Sequence, residues 1–135
     1  MIQIVKDSDT RPWFFLQTAH TTYGIRVMET GHLEHLYYGE RITVDSQDSS
    51  SCAPLVIQRA FAPGNTCTYD REHPQISMED VCLEVGTLGK GDIREPFLEV
   101  RFADGSVTSD FTFDSYEVIT LKEREQCLQD SGLPH

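Results

Sequence analysis

The chain has no C-x-x-C pair, no long apolar run and no clustered basic residues, and each absence removes a class of function. Its four cysteines, Cys52, Cys67, Cys82 and Cys127, stand too far apart in sequence for the paired spacing of zinc and redox sites. Without an export signal they read as free thiols in a reducing compartment. The longest apolar stretches are a few residues, which excludes a spanning helix, and Met1-Ile2-Gln3-Ile4-Val5-Lys6 has neither the basic region nor the apolar length of a signal peptide. The expected compartment is the cytoplasm. Eleven Lys and Arg are set against 22 Asp and Glu, for a net charge of -11, and the basic residues are scattered singly. A phosphate backbone or an anionic membrane is not bound by such a surface, so neither nucleic acid nor membrane is an expected partner. A neutral ligand such as a sugar, or another protein, suits it.

What is present is strand periodicity in a chain of 135 residues, a length suited to one domain. Ile2–Val5 reads as a short opening strand and Trp13–Thr18 as an aromatic-rich one. Tyr23, Ile25 and Val27 alternate with Thr22, Gly24 and Arg26; Glu29-Thr30-Gly31 supplies a hairpin loop, and His32–Tyr38 returns. Asp45–Ser51 is polar loop, Leu55–Arg59 a candidate strand ahead of the turn cluster Ala62-Pro63-Gly64-Asn65, and Thr66–Ile76 an aperiodic excursion. Phe97–Phe102 and Val107–Phe113 flank Asp104-Gly105, which predicts a two-residue hairpin loop pairing Phe102 with Val107, Val100 with Ser109 and Leu98 with Phe111. That register sets Glu99 against Asp110, a like-charge pair. Tyr116–Leu121 is a further strand, and Lys122–Gln129 is the one helical candidate. The fold class is all-β.

Chemical motifs fail one by one. His32 and His35 are three apart on a strand, so they face opposite ways and cannot chelate one ion. Gly86–Asp92 (GTLGKGD) lacks the order of a phosphate loop, and the Asp45–Ser51 stretch lacks the spacing of a calcium loop. The carboxylate pairs, such as Asp7/Asp9 and Glu123/Glu125, are sequence neighbours, whereas glycosidic acid and nucleophile must converge across a cleft. No metal site, cofactor or catalytic group is expected from the residues themselves.

A resemblance supplies what the motifs do not. Phe15-Leu16-Gln17-Thr18 with Thr22-Tyr23, Gly31 to Glu40 (GHLEHLYYGE), Arg59-Ala60-Phe61-Ala62-Pro63, Glu84 to Pro96 (EVGTLGKGDIREP), Gly105-Ser106 with Thr108, Asp110 and Phe111, and Gly132-Leu133-Pro134 occur in this order. Together they resemble the N-terminal region of the glycoside hydrolase family 36 α-galactosidases, from about Phe14 onward. Gly86 stands where that family usually has proline, and Ile93 where it has an aromatic. The resemblance implies an antiparallel β-supersandwich of which residues 1–135 are the first portion, with at most one short helix, near the C-terminus. Two catalytic aspartates of a retaining mechanism would lie on a separate (β/α)₈ barrel, so this segment would be inactive alone. It further implies a homo-oligomer, a tetramer in the full enzyme. In it, the loop from Gln58 to about Glu72 reaches a neighbouring subunit's galactoside pocket, with Gln58, Phe61, Asp70 and Arg71 as the binding set. The competing readings are a free-standing carbohydrate-binding β-sandwich, with Trp13, Tyr37, Tyr38, Tyr69 and Tyr116 as possible stacking platforms, and a structural interaction module.

Overall fold

Four strands run as an antiparallel meander: β1 (Ile2–Lys6), β2 (Pro12–Gln17), β3 (Thr21–Val27) and β4 (Leu33–Glu40). They are seen in a computed structural model that describes residues 1–56, 68–89, 91–92, 95–120 and 123. Alternation divides the sheet into two faces. On one, Val5, Trp13 and Phe15 pack with Leu36, Val44 and Cys52, joined by Tyr37, Ile42, Leu55 and Val56. Phe15 is wholly buried and lies opposite Gly24 in the register.

The buried side of β3 is not its apolar side. Thr22 and Gly24 go inward, while Tyr23 and Ile25 are half-buried on the other face. Gly24 leaves room for the Phe15 ring, and Thr22 serves a polar function. Its hydroxyl accepts from the Ile42 amide at 3.1 Å, and the buried Gln17 donates to the Ile42 carbonyl at 2.8 Å. Two buried polar side chains thus tie residues 41–44 across the core face, satisfying backbone groups that burial would otherwise strand.

β4 carries a bulge. Gly24 pairs with Tyr37 and Ile25 with His35, leaving Leu36 as the extra residue. The extra residue changes the facing of everything before it. Leu36 and Tyr37 both join the core, and His35 and Tyr38 both reach Tyr23, at ring separations of 5.3 and 6.0 Å.

Three of the turns share one geometry. In Asp7–Arg11, Met28–His32 and Phe102–Ser106 the first amide donates to the fifth carbonyl, and the fourth amide to the first carbonyl. That is a three-residue loop whose last residue must be left-handed. Gly31 and Gly105 fill it with φ of 85° and 88°, and Thr10 does so at 65°. The loop at Asp104-Gly105 is therefore one residue longer than the two-residue turn expected, and Phe102 meets Ser106 instead of Val107. Beyond it the predicted strands 97–102 and 107–113 do not pair. Leu98 bridges to Thr87, and the Thr87 hydroxyl donates to the Ser109 carbonyl, so the segment around β5 (Thr87–Leu88) engages both arms. β5 makes a minimal parallel pair with β6 (Gly91–Asp92).

Other expectations were displaced too. Where polar loop and a strand were expected, Ser49–Leu55 forms a 3-10 turn capped by the Asp48 carboxylate, with Cys52 buried on the core. A second 3-10 turn spans Met78–Asp80. Residues 116–120 form no strand, and the helical expectation at 122–129 lies outside the described residues except for Glu123. Cys52 and Cys82 are free thiols. Among the described residues no helix is long and apolar enough to cross a membrane.

The second face of the sheet is only partly covered. Phe113 and Tyr116 pack on Phe14 at 6.0 and 5.0 Å, and with Ile2, Leu16, Ile25, Leu33 and Val118 they border an open apolar groove of about 330 Å³. Ile2, Leu16, Phe97, Phe102, Phe111, Val118 and Ile119 remain exposed, the apolar surface expected of a segment whose sheets are completed elsewhere.

Candidate functional site

The loops at one end of the sheet gather the polar side chains. Residues 69–76 form a loop closed at its base by the Tyr69 amide on the Ile76 carbonyl at 2.7 Å. Inside it, Asp70 Oδ1 accepts from the amides of Glu72 (2.9 Å) and His73 (2.7 Å), and from His73 Nδ1 at 2.9 Å. Desolvation pushes the Asp70 carboxyl up, but these His73 and Glu72 donors outweigh it and hold the group below the usual carboxylate range. A short acidic side chain that takes the next amides is the sequence signature of a turn, and here it fixes the loop.

Of the four residues that the resemblance singles out, Gln58 and Phe61 lie outside the described residues. Asp70 is half-buried and engaged within its own loop, not fully exposed as expected. Arg71 is exposed at the loop tip and makes no ion pair among the described residues, which leaves its guanidinium donors available.

The loop is joined to the sheet by a network that sequence reasoning did not find. Tyr69 donates its hydroxyl to Asp110 Oδ2 at 2.7 Å, and Asp110 Oδ1 faces His32 Nε2 at 2.6 Å. A carboxylate only accepts, so His32 carries its proton on Nε2; its Nδ1 meets the Thr30 hydroxyl at 2.8 Å. His32 is 2% exposed, and Tyr69 stands edge-on to its ring at 5.0 Å. The hydrogen bond to Asp110, aided by desolvation and the nearby negative charge, pushes the Tyr69 phenol up to about 12. It is a donor at any working pH. The like-charge contact expected between Asp110 and Glu99 is thus replaced by a histidine and a phenol. Asp110 and His32 are 78 residues apart, and no local pattern links them.

A second network faces away from the core. Glu84 accepts from the Tyr23 hydroxyl through one carboxylate oxygen and from His35 Nδ1, at 2.9 Å, through the other. Burial, then the Glu84 carboxylate, raises the Tyr23 phenol to about 12. This network and the bridge of Glu34 to Leu83 lash residues 82–84 to the edge of β4. His32 and His35 therefore serve different carboxylates. Among the described residues no three His, Cys, Asp or Glu side chains are placed to hold a metal ion.

As for stacking platforms, Trp13 is buried under the Arg26 guanidinium, Tyr69 is tied to Asp110, and Tyr116 packs on Phe14. Tyr38 alone of the five is largely free, 70% exposed. A sugar-stacking surface built from several aromatics is not what these positions make.

Residues 31–135 match the family described as the glycosyl hydrolase family 36 N-terminal domain. The bifunctional alpha-galactosidase/sucrose kinase AgaSK of Mediterraneibacter gnavus is 36% identical over 90% of this chain, which spans 12% of that protein. The alpha-galactosidase AgaA of Geobacillus stearothermophilus is 25% identical over 90% of the chain and 16% of its own length. Among solved structures, the alpha-galactosidase from Lactobacillus brevis superposes with a TM-score of 0.66 at 32% identity, covering 84% of this chain and 14% of that one. The galactosidase domain of AgaSK gives 0.62 at 31%, covering 84% and 15%. This chain is thus a small fraction of the length of each relative.

Proposed function

The chain belongs to the glycosyl hydrolase family 36 N-terminal domain family, and on that premise we propose that it is the non-catalytic first part of a retaining α-galactosidase acting on terminal α-galactosides. Residues 1–135 form the opening portion of the β-supersandwich, and the hydrolytic carboxylates belong to a barrel elsewhere in the enzyme. The observation that carries this reading is the identity to AgaSK along nine-tenths of the chain. The exposed apolar groove beside Phe14 and Phe113 supports it, since such a face suits a segment finished by further structure.

Within that enzyme, a cytoplasmic homo-oligomer, the loop bearing Arg71 reaches a neighbouring subunit's pocket and holds galactoside hydroxyls. Support comes from the exposure of Arg71 on a loop whose shape Asp70 already fixes. A preformed loop loses little entropy on engaging a ligand, and a guanidinium presents several donors in a rigid fork. In the full-length enzyme, Arg71→Ala should raise KM for an aryl α-galactoside about 5- to 150-fold, the equivalent of about 1–3 kcal/mol, with a smaller change in kcat. Unchanged KM would remove Arg71 from substrate binding. Absence of α-galactosidase activity in the full-length enzyme would overturn the larger assignment.

A further inference from the structure

The residue directly before the Asp70-Arg71 pair is held by a clamp rooted in the sheet. Tyr69 is fixed by its backbone, through the Ile76 carbonyl at 2.7 Å, and by its hydroxyl, through Asp110 at 2.7 Å. Asp110 is fixed in turn by the buried His32, which the β3–β4 turn holds through Thr30. The same turn binds the neighbouring segment a second way, since the Gly31 carbonyl accepts from the Phe113 amide at 2.7 Å. His32 and Asp110 therefore join two stretches far apart in sequence before either meets the loop.

We propose that Tyr69, Asp110 and His32 are positioning residues, a hydrogen-bonded clamp that sets where the Asp70-Arg71 loop stands and thereby prepares Arg71 for galactoside. The inference deepens the proposed role of Arg71 and rests on it. A side chain that must hold hydroxyls in one geometry depends on the groups behind it, because a shift of an ångström loses the contact. Charge-assisted hydrogen bonds at 2.6 and 2.7 Å in a partly buried network are suited to that task.

Tyr69→Phe removes one oxygen and keeps the ring on His32, so it tests the clamp without removing the packing. In the full-length enzyme the variant should raise KM for an aryl α-galactoside about 3- to 10-fold, the loss of one hydrogen bond, while kcat and Tm hold. Amides 70–76 should exchange with deuterium faster. Combined with Arg71→Ala, it should add no further rise, because a group acting only through Arg71 has nothing left to position. If Arg71→Ala raises KM and Tyr69→Phe does not, or if the two effects multiply, the clamp does not position Arg71. If Arg71→Ala leaves KM unchanged, the substrate role of Arg71 fails, and with it the clamp's purpose. Unchanged exchange at 70–76 in Tyr69→Phe overturns the clamp whatever Arg71 does.

Discussion

The three loops of shared geometry provide an internal experiment on backbone strain. Each needs its third loop residue left-handed, and the chain uses Gly31, Gly105 and Thr10 there. A left-handed residue with a Cβ costs about 1–2 kcal/mol, and a β-branched one is the least tolerant. A Cβ added at Gly105 meets nothing within 4 Å, so Gly105→Ala isolates the backbone cost from any clash. Against that cost stands the smaller conformational freedom of alanine in the unfolded chain, about 0.4–1 kcal/mol. The net loss should be about 0.5–1.5 kcal/mol. Thr10→Gly runs the same ledger in reverse. Thr10 is exposed, and the loop keeps its fixation because Asp7 Oδ1 accepts the amides of Asp9 and Arg11, both at 2.9 Å. Thr10→Gly should stabilise by about 0.5–1 kcal/mol, a rise of roughly 2–5 °C in Tm for a chain of this size. Thermal and urea unfolding of residues 1–135 followed by circular dichroism would measure both variants. Destabilisation by Thr10→Gly, or neutrality of Gly105→Ala, would refute the reasoning, since both follow from one dihedral requirement.

Gly24→Ala should cost about 1–3 kcal/mol by urea unfolding, because its Cβ would stand 3.0 Å from Phe15 Cε1 and 3.2 Å from Cδ1, on a wholly buried ring; a neutral result would mean that the ring shifts freely. The Asp7 carboxyl is raised by desolvation but drawn below its ordinary value by the Arg11 amide and guanidinium and the Asp9 amide. A depressed folded-state value stabilises above the unfolded pKa of about 3.9 and loses that contribution as pH falls through the folded value. The stability gap between wild type and Asp7→Asn should therefore be full at neutral pH and shrink below about pH 4, and a gap independent of pH would contradict it. The kinetic tests of Arg71 and Tyr69 complete the set, and they separate binding at the loop tip from positioning at its base.

The meander was legible because it is local. Period-two alternation through Trp13–Gln17 and Thr21–Val27, and the loop at Glu29-Thr30-Gly31, are properties of neighbouring residues, and the observed strands fall within a few residues of those expected. The resemblance of the same stretches carried the family, which the match over residues 31–135 bears out. Alternation does not say which face of a strand is buried, and here it misleads. Thr22 and Gly24 are inside because Phe15 and Ile42 lie over them, and both are partners from other parts of the chain.

Pairing of 97–102 with 107–113 was expected from their own alternation. It fails where Thr87, from a third segment, offers Leu98 a bridge and Ser109 a hydroxyl. The site divides the same way. That Asp70 would organise a turn lies in its type and position, and that Arg71 would be exposed follows from the polar run around it. That Tyr69 rests on Asp110 and Asp110 on His32 depends on bringing together residues 41 and 78 positions apart. A hydrogen bond is set by distance in space, and only the folded sheet brings those groups within reach.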